Sequence, residues 1–298
     1  MLSFTNTDFF TGAFIMNTNR EKLTLRELQL AELDILLKVR DFFEAHNIRY
    51  ILCGGTMLGA VRHKGFIPWD DDIDVSVPRE DFERFRKIAA EDRNIISGLK
   101  ICLPCDENYV YPFIKVCSPD IVVESHAEKN TDVDNHLWID VFPLDHFPDN
   151  KLMHGLCLAV QQVQKKSMRA SMHSKELSEK LGWNSGIFRR TAAAGAKILF
   201  RLLGGFRKIP KNLDTFAKYI NRKYTASQHV GDAVWPNGMN DYYHVSWIFP
   251  TIKMQFEGYD FNVPENYDSY LTGFYGDYMT LPPEDKRQTH YLTAYRIE

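Results

Sequence analysis

GGTMLGAVRHKGFIPWDDDIDVSVPRED, residues 54–81, is the stretch whose reading decides the fold. Just before it, Ile48 to Cys53 is a short apolar run, which predicts a strand. Gly54-Gly55-Thr56 forms the turn, and Met57 to His63 is expected as a helix. Ile73 to Val77 alternates as a second strand, Pro78 ends it, and Arg79 to Glu91 reads as a helix. Side chains at i and i+2 of a strand share a face, so Asp72 and Asp74 are expected to project together, as are Asp70 and Asp72. Four carboxylates within five residues repel one another unless cations sit among them. Same-face pairs suit hard divalent cations such as Mg²⁺, or Mn²⁺ in its place, and two such ions clamp an in-line phosphoryl displacement. An acidic surface loop is the plain alternative, and the apolar Ile73, Val75 and Val77 argue against it. Glycines between a strand and a helix let backbone N–H groups approach a phosphate. Alone that signal is weak, because such junctions often carry glycine.

Working outward, Thr24 to His46 has apolar residues at helical spacing and a capping box of Thr24 and Glu27. Further strands are expected at Lys100–Leu103, Tyr111–Cys117, Ile121–Glu124 and Leu137–Phe142. The last carries Asp140 between Ile139 and Val141. The fold class is α/β (α+β): a mixed sheet flanked by helices. Four regions follow: a poorly ordered leader at 1–23, a catalytic core at 24–150, a helical basic insert at 151–230, and an aromatic-rich C-terminal region at 231–298 that completes the site.

Net charge is only −3, which gives no sign of a nucleic-acid partner, but the charge is uneven. From Gln161 to Lys211 twelve Lys and Arg face two acids, so this segment is +10 and the rest −13. That asymmetry points to an anionic partner for the insert. Residues 187–209 mix apolar residues with Arg and Lys and hold no acid, reading either as an interfacial helix on an anionic membrane or as a packed helix pair with a wet basic face. Five cysteines, an odd number, are expected as reduced thiols. Cys102 and Cys105 form a CxxC pair with no second half for a zinc site. The N-terminus lacks a basic start, so no signal peptide is expected, and no uncharged run reaches membrane-spanning length.

A strand ending in Gly-Gly-Thr, a helix, then Asp-x-Asp resembles the nucleotidyltransferase fold of the DNA polymerase β superfamily, although the gap from Gly55 to Asp72 is longer than usual there. Residues 54–81, together with 138–145 and 275–283, closely resemble the LicD family of phosphocholine transferases, related to fukutin-like proteins. The resemblance implies a Mg²⁺-dependent transfer of phosphocholine from CDP-choline to a hydroxyl of a glycan, teichoic acid or lipid-linked precursor. The alternatives are a CDP-ribitol or CDP-glycerol donor, or nucleotidyl transfer. It implies that Gly54, Gly55 and Thr56 cradle donor phosphate, that Asp72 and Asp74 hold the metal, and that Asp140 is a metal ligand or the base. Arg62, His63 and Lys64 are candidates to offset donor charge, or simply a solvated helix end. Lys115, the sole charge in its strand, is either a phosphate contact or a structural ion pair. A choline cage would draw on Trp138, Trp235, Tyr242, Tyr243 and Trp247, with Asp241 near, though core packing explains aromatics equally. His126 and His136 have no assigned role. The expected location is the cytoplasm, peripheral on the inner face of the membrane.

Overall fold

The computed structural model describes residues 20–104, 106, 109–125, 136–172, 187–287 and 292–297. Strand β1 (Arg20–Lys22) precedes helix α1 (Leu25–Ala45), which starts at the expected capping box, with Glu27 N–H donating to Thr24 Oγ1. Then come β2 (Ile51–Leu52), α2 (Gly54–His63), β3 (Asp74–Pro78), α3 (Arg79–Glu91), β4 (Lys100–Cys102), β5 (Ile114–Ser125) and β6 (His136–Phe147). The insert supplies α4 (Lys151–Met172), α5 (Ile187–Leu202) and α6 (Gly205–Lys223). The chain closes with β7 (His229–Asp232), β8 (Tyr243–His244), α7 (Val245–Ile248), the hairpin β9 (Thr251–Phe256) and β10 (Tyr259–Pro264), α8 (Tyr267–Tyr275) and β11 (Leu292–Ile297).

The main sheet runs β1-β11-β5-β6-β3-β2, with β4 on β5 and β7 between β6 and β8. β3 and β6 are parallel; the other strand pairs of this sheet are antiparallel. The mixed α+β class is therefore present. The core residues Leu36, Phe43, Val75, Val77, Phe82, Phe85, Ile139 and Val141 are all buried between α1, α3 and the sheet.

Three sequence expectations shift. Arg20–Lys22, assigned to the leader, form an edge strand against β11, because the C-terminal strand offers them an open ladder. Residues 1–19 lie outside the described residues, as do Cys105 and His126. The two runs Tyr111–Cys117 and Ile121–Glu124 are one bent strand, β5, whose register with β6 shifts between Ser118 and Val122. β3 begins at Asp74 rather than Ile73, leaving Asp70, Asp71 and Asp72 in irregular chain.

The insert packs on the far end of the sheet through a second apolar cluster that includes Phe113, Phe147, Met168, Ile209 and Leu213. A buried ion network fastens it. Arg79 at the start of α3 grips Asp145 of β6 with two bonds, at 2.7 and 2.6 Å, and reaches Asp214 of α6 at 3.1 Å. Arg86 and Lys218 also hold Asp214, at 2.9 and 3.0 Å. Asp145 is fully buried, so losing its partner strands a charge without water. Arg79→Ala should lower the free energy of unfolding by about 3–5 kcal/mol in urea titration. The double replacement Arg79→Met, Asp145→Leu should recover most of it, and a single-variant loss below about 1 kcal/mol would show that the network does not fasten the insert.

Candidate active site

The parallel ladder puts Asp74 of β3 in register with Asp140 of β6, with Asp140 N–H donating to Ile73 O at 2.9 Å. Neighbouring strands lie about 4.8 Å apart, so the two half-buried carboxylates share one face of the sheet. On the other side of β6, Lys115 of β5 is in register with Asp140, its Nζ 3.7 Å from Asp140 Oδ1. Lys115 also lies 3.5 Å over the Trp138 ring and 4.4 Å over Tyr111. Of its two sequence readings, the geometry shows the ion pair.

The glycine turn is pressed against these acids. Gly54 has φ +54°, and a Cβ there would sit 3.2 Å from Asp74 Oδ2. A Cβ on Gly55 would fall 2.7 Å from Asp70 Oδ2. A side chain at either position would therefore displace a carboxylate, which is the local reason for two glycines. The Thr56 hydroxyl accepts from Asp74 N–H at 2.9 Å, fixing where the strand starts. Asp70, Asp71 and Asp72 each offer an oxygen within 4.8 Å of the others, and Asp71 is buried. Oxygen-only donors at such spacing are the set hard divalent cations prefer, so the residues fit Mg²⁺.

Helix α1 braces this loop from below, a role that sequence reasoning missed. Gln29 Nε2 donates to Asp70 O at 2.9 Å. Glu32, fully buried, is pushed well above the usual carboxylate range, first by burial and then by the charges of Asp72, Asp71, Asp70 and Asp74. The available signal was two polar residues on the apolar face shared with Leu28, Leu33 and Leu36.

Two clefts open on either side of the glycine turn. One, beside Gly55 and Asp70, is lined by Arg62, Trp69, Tyr275, Lys286 and Arg287, with the Arg287 guanidinium 4.3 Å over Trp69. The other, beside Gly54 and Asp74, is lined by Phe142, Asp232, Asp241, Tyr243, Tyr270 and Phe274. Arg62 of the basic trio is thus placed at the site, its Nη1 donating to Tyr278 O at 2.6 Å. His63 lies against Arg62, and burial followed by that neighbouring charge lowers its pKa. Lys64 ends α2 in a left-handed turn at φ 57°, exposed and outside both linings.

The aromatic candidates divide. Tyr243 and Asp241 line the second cleft. Tyr242 instead stacks between His229 at 4.3 Å and His154 at 4.0 Å, with its hydroxyl bonded to Pro148 O. Trp235 packs on Tyr111 and Phe113, Trp247 lies against Gly273, and Lys115 covers a face of Trp138.

The relatives of this chain are phosphotransferases, and it shares their class. Residues 47–174 match the model described as LicD/FKTN/FKRP, nucleotidyltransferase domain. The chain is 30% identical over 278 residues to the lipopolysaccharide cholinephosphotransferase LicD of Haemophilus influenzae, a match spanning 91% of this chain and 97% of that protein. It is also 31% identical over 111 residues to the human ribitol 5-phosphate transferase FKRP, covering 37% of this chain and 19% of that protein. The chain belongs to the LicD family.

Proposed function

We propose that this enzyme moves phosphocholine from CDP-choline to a hydroxyl of a cell-surface glycan such as lipopolysaccharide or a teichoic acid precursor. The observation that carries the reading is the in-register Asp74–Asp140 pair facing Gly54. The similarity to a cholinephosphotransferase along nearly its whole length supports the choice of group. Asp72, Asp74 and Asp140 would hold Mg²⁺, which when bound offsets charge on the donor pyrophosphate. The open backbone at Gly54 and Gly55 lets N–H groups meet donor phosphate, and Arg62 adds positive charge beside them. An acceptor oxygen attacks the choline-bearing phosphorus in line, the bond to the CMP phosphate breaks, and Asp140 is placed to take the hydroxyl proton. A second reading keeps this chemistry with CDP-ribitol or CDP-glycerol, favoured by the likeness to FKRP.

Asp74→Asn should cut CMP release by roughly 10²–10³-fold or more, the scale for losing one transition-state stabiliser, while the circular dichroism spectrum stays unchanged. Retained turnover would remove Asp74 from the metal set. Release from CDP-ribitol but not CDP-choline would move the enzyme to the second reading.

The insert is the membrane-facing part of the proposal. No helix among the described residues is long and apolar enough to cross a membrane. Leu152, Leu156, Val160 and Val163 nevertheless form an exposed apolar stripe along α4, at helical spacing. Ile198 and Leu202 of α5 are exposed as well, beside Lys197 and Arg201. Apolar groups among cations suit the interface of an anionic bilayer, on which a lipid-linked acceptor would be presented. The protein should sediment with phosphatidylglycerol vesicles but not with phosphatidylcholine vesicles, and Leu152→Glu with Leu156→Glu should abolish this. Equal recovery with both vesicle types, or none, would contradict membrane docking.

A further inference from the structure

The two clefts beside the glycine turn have opposite character. The Gly55 side carries Arg62, Lys286 and Arg287. The Gly54 side has no Lys, Arg or His in its lining, but carries Asp74, Asp232 and Asp241. Its remaining wall is aromatic: Tyr243 stacks on Tyr270 at 4.3 Å and 17°, and Phe274 stands 6.5 Å from Tyr243.

The acidic floor is built into the fold. β7 and the segment after it wrap closely, since a Cβ on Gly231 would lie 2.2 Å from Asp241 O. Asp232 Oδ1 accepts from Val234 and Trp235 N–H, both at 2.8 Å. Asp241 is buried and accepts from Asp232 N–H and Asn237 N–H, both at 3.4 Å. Lys165 lies behind this wall, but its ammonium is spent on Trp235 O, Pro236 O and Asn237 Oδ1 at 2.8, 2.9 and 3.1 Å. Its charge still acts on both carboxylates from behind the wall. Burial raises both carboxyls, the Asp241 charge raises Asp232 further, and Lys165 offsets part of the rise in each. Two acids under aromatic rings, with the Lys165 ammonium behind them turned to Trp235 O, Pro236 O and Asn237 Oδ1, favour a positively charged guest in the cleft.

We propose that this cleft binds the cationic end of the transferred group, a quaternary ammonium, with Asp241 and Asp232 supplying charge and Tyr243, Tyr270 and Phe274 supplying ring surface. This rests on the reading of Asp74 and Asp140 as the reaction centre. It orients the donor: the transferred group points across Gly54 toward β7, and the nucleotide lies toward Arg62 and Arg287. A polyol could hydrogen-bond the carboxylates but brings no positive charge to them, so the cleft favours choline over ribitol or glycerol.

The test is calorimetry on the full chain with Mg²⁺, using CDP-choline, CMP, and the CDP ester of 3,3-dimethylbutanol, the uncharged carbon isostere of choline. Wild-type protein should bind CDP-choline about tenfold or more tightly than the isostere. Asp241→Asn and Phe274→Ala should each pull that ratio toward one and leave CMP affinity unchanged. Phe274 is only half-buried, so that variant decides the matter if Asp241→Asn fails to fold. Equal binding of charged and neutral esters by the wild type, or an unchanged ratio in both variants, overturns the cleft assignment while the donor reading stands. If no CDP compound binds, both fall.

Discussion

Like-charge crowding is the constraint on which the rest of this molecule depends. Asp70, Asp71 and Asp72 offer oxygens within 4.8 Å of one another, and just after them Asp74 stands in register with Asp140 on a parallel strand pair, with Lys115 3.7 Å from Asp140. The surrounding structure holds that arrangement. The β3–β6 register sets Asp74 beside Asp140; two glycines make room for carboxylates that a methyl group would displace; and Thr56 fixes the strand origin through Asp74 N–H. Gln29 pins the loop, and Glu32 lies buried beneath it, its pKa raised by burial and by four neighbouring charges.

The later parts of the chain give the centre its polarity. The segment after α8 brings Lys286 and Arg287 to the Gly55 side, while β7, β8 and α8 bring Asp232, Asp241, Tyr243, Tyr270 and Phe274 to the Gly54 side. The C-terminal strand β11 then closes the sheet between β1 and β5. The insert is fastened by charges buried with Arg79, and its α4 helix carries an exposed apolar stripe.

Much of this was legible in the sequence, for a local reason. Residues 48–91 encode strand, glycine turn, helix, strand and helix through short-range periodicity, and α3 falls where the spacing put it. Asp140 was marked by its apolar neighbours, Ile139 and Val141. What escaped depends on distant segments. Nothing local says that Lys115 meets Asp140, since strand register joins them. Tyr242 and Tyr243 are adjacent, yet alternation sends one into a histidine stack and the other into the cleft. Asp232, Tyr270 and Phe274 converge only after β7 and α8 are placed. Asp70 to Asp72 were read on a strand, but the ladder begins at Asp74, where Thr56 takes the backbone N–H.

The most direct test of the Asp74–Asp140 assignment is anomalous diffraction from crystals grown with Mn²⁺, collected with and without CMP. Density bridging Asp74 and Asp140, with Asp72 in its shell, is the result required. Manganese bound only among Asp70, Asp71 and Asp72, or no peak at the Asp74–Asp140 pair in either state, would contradict it.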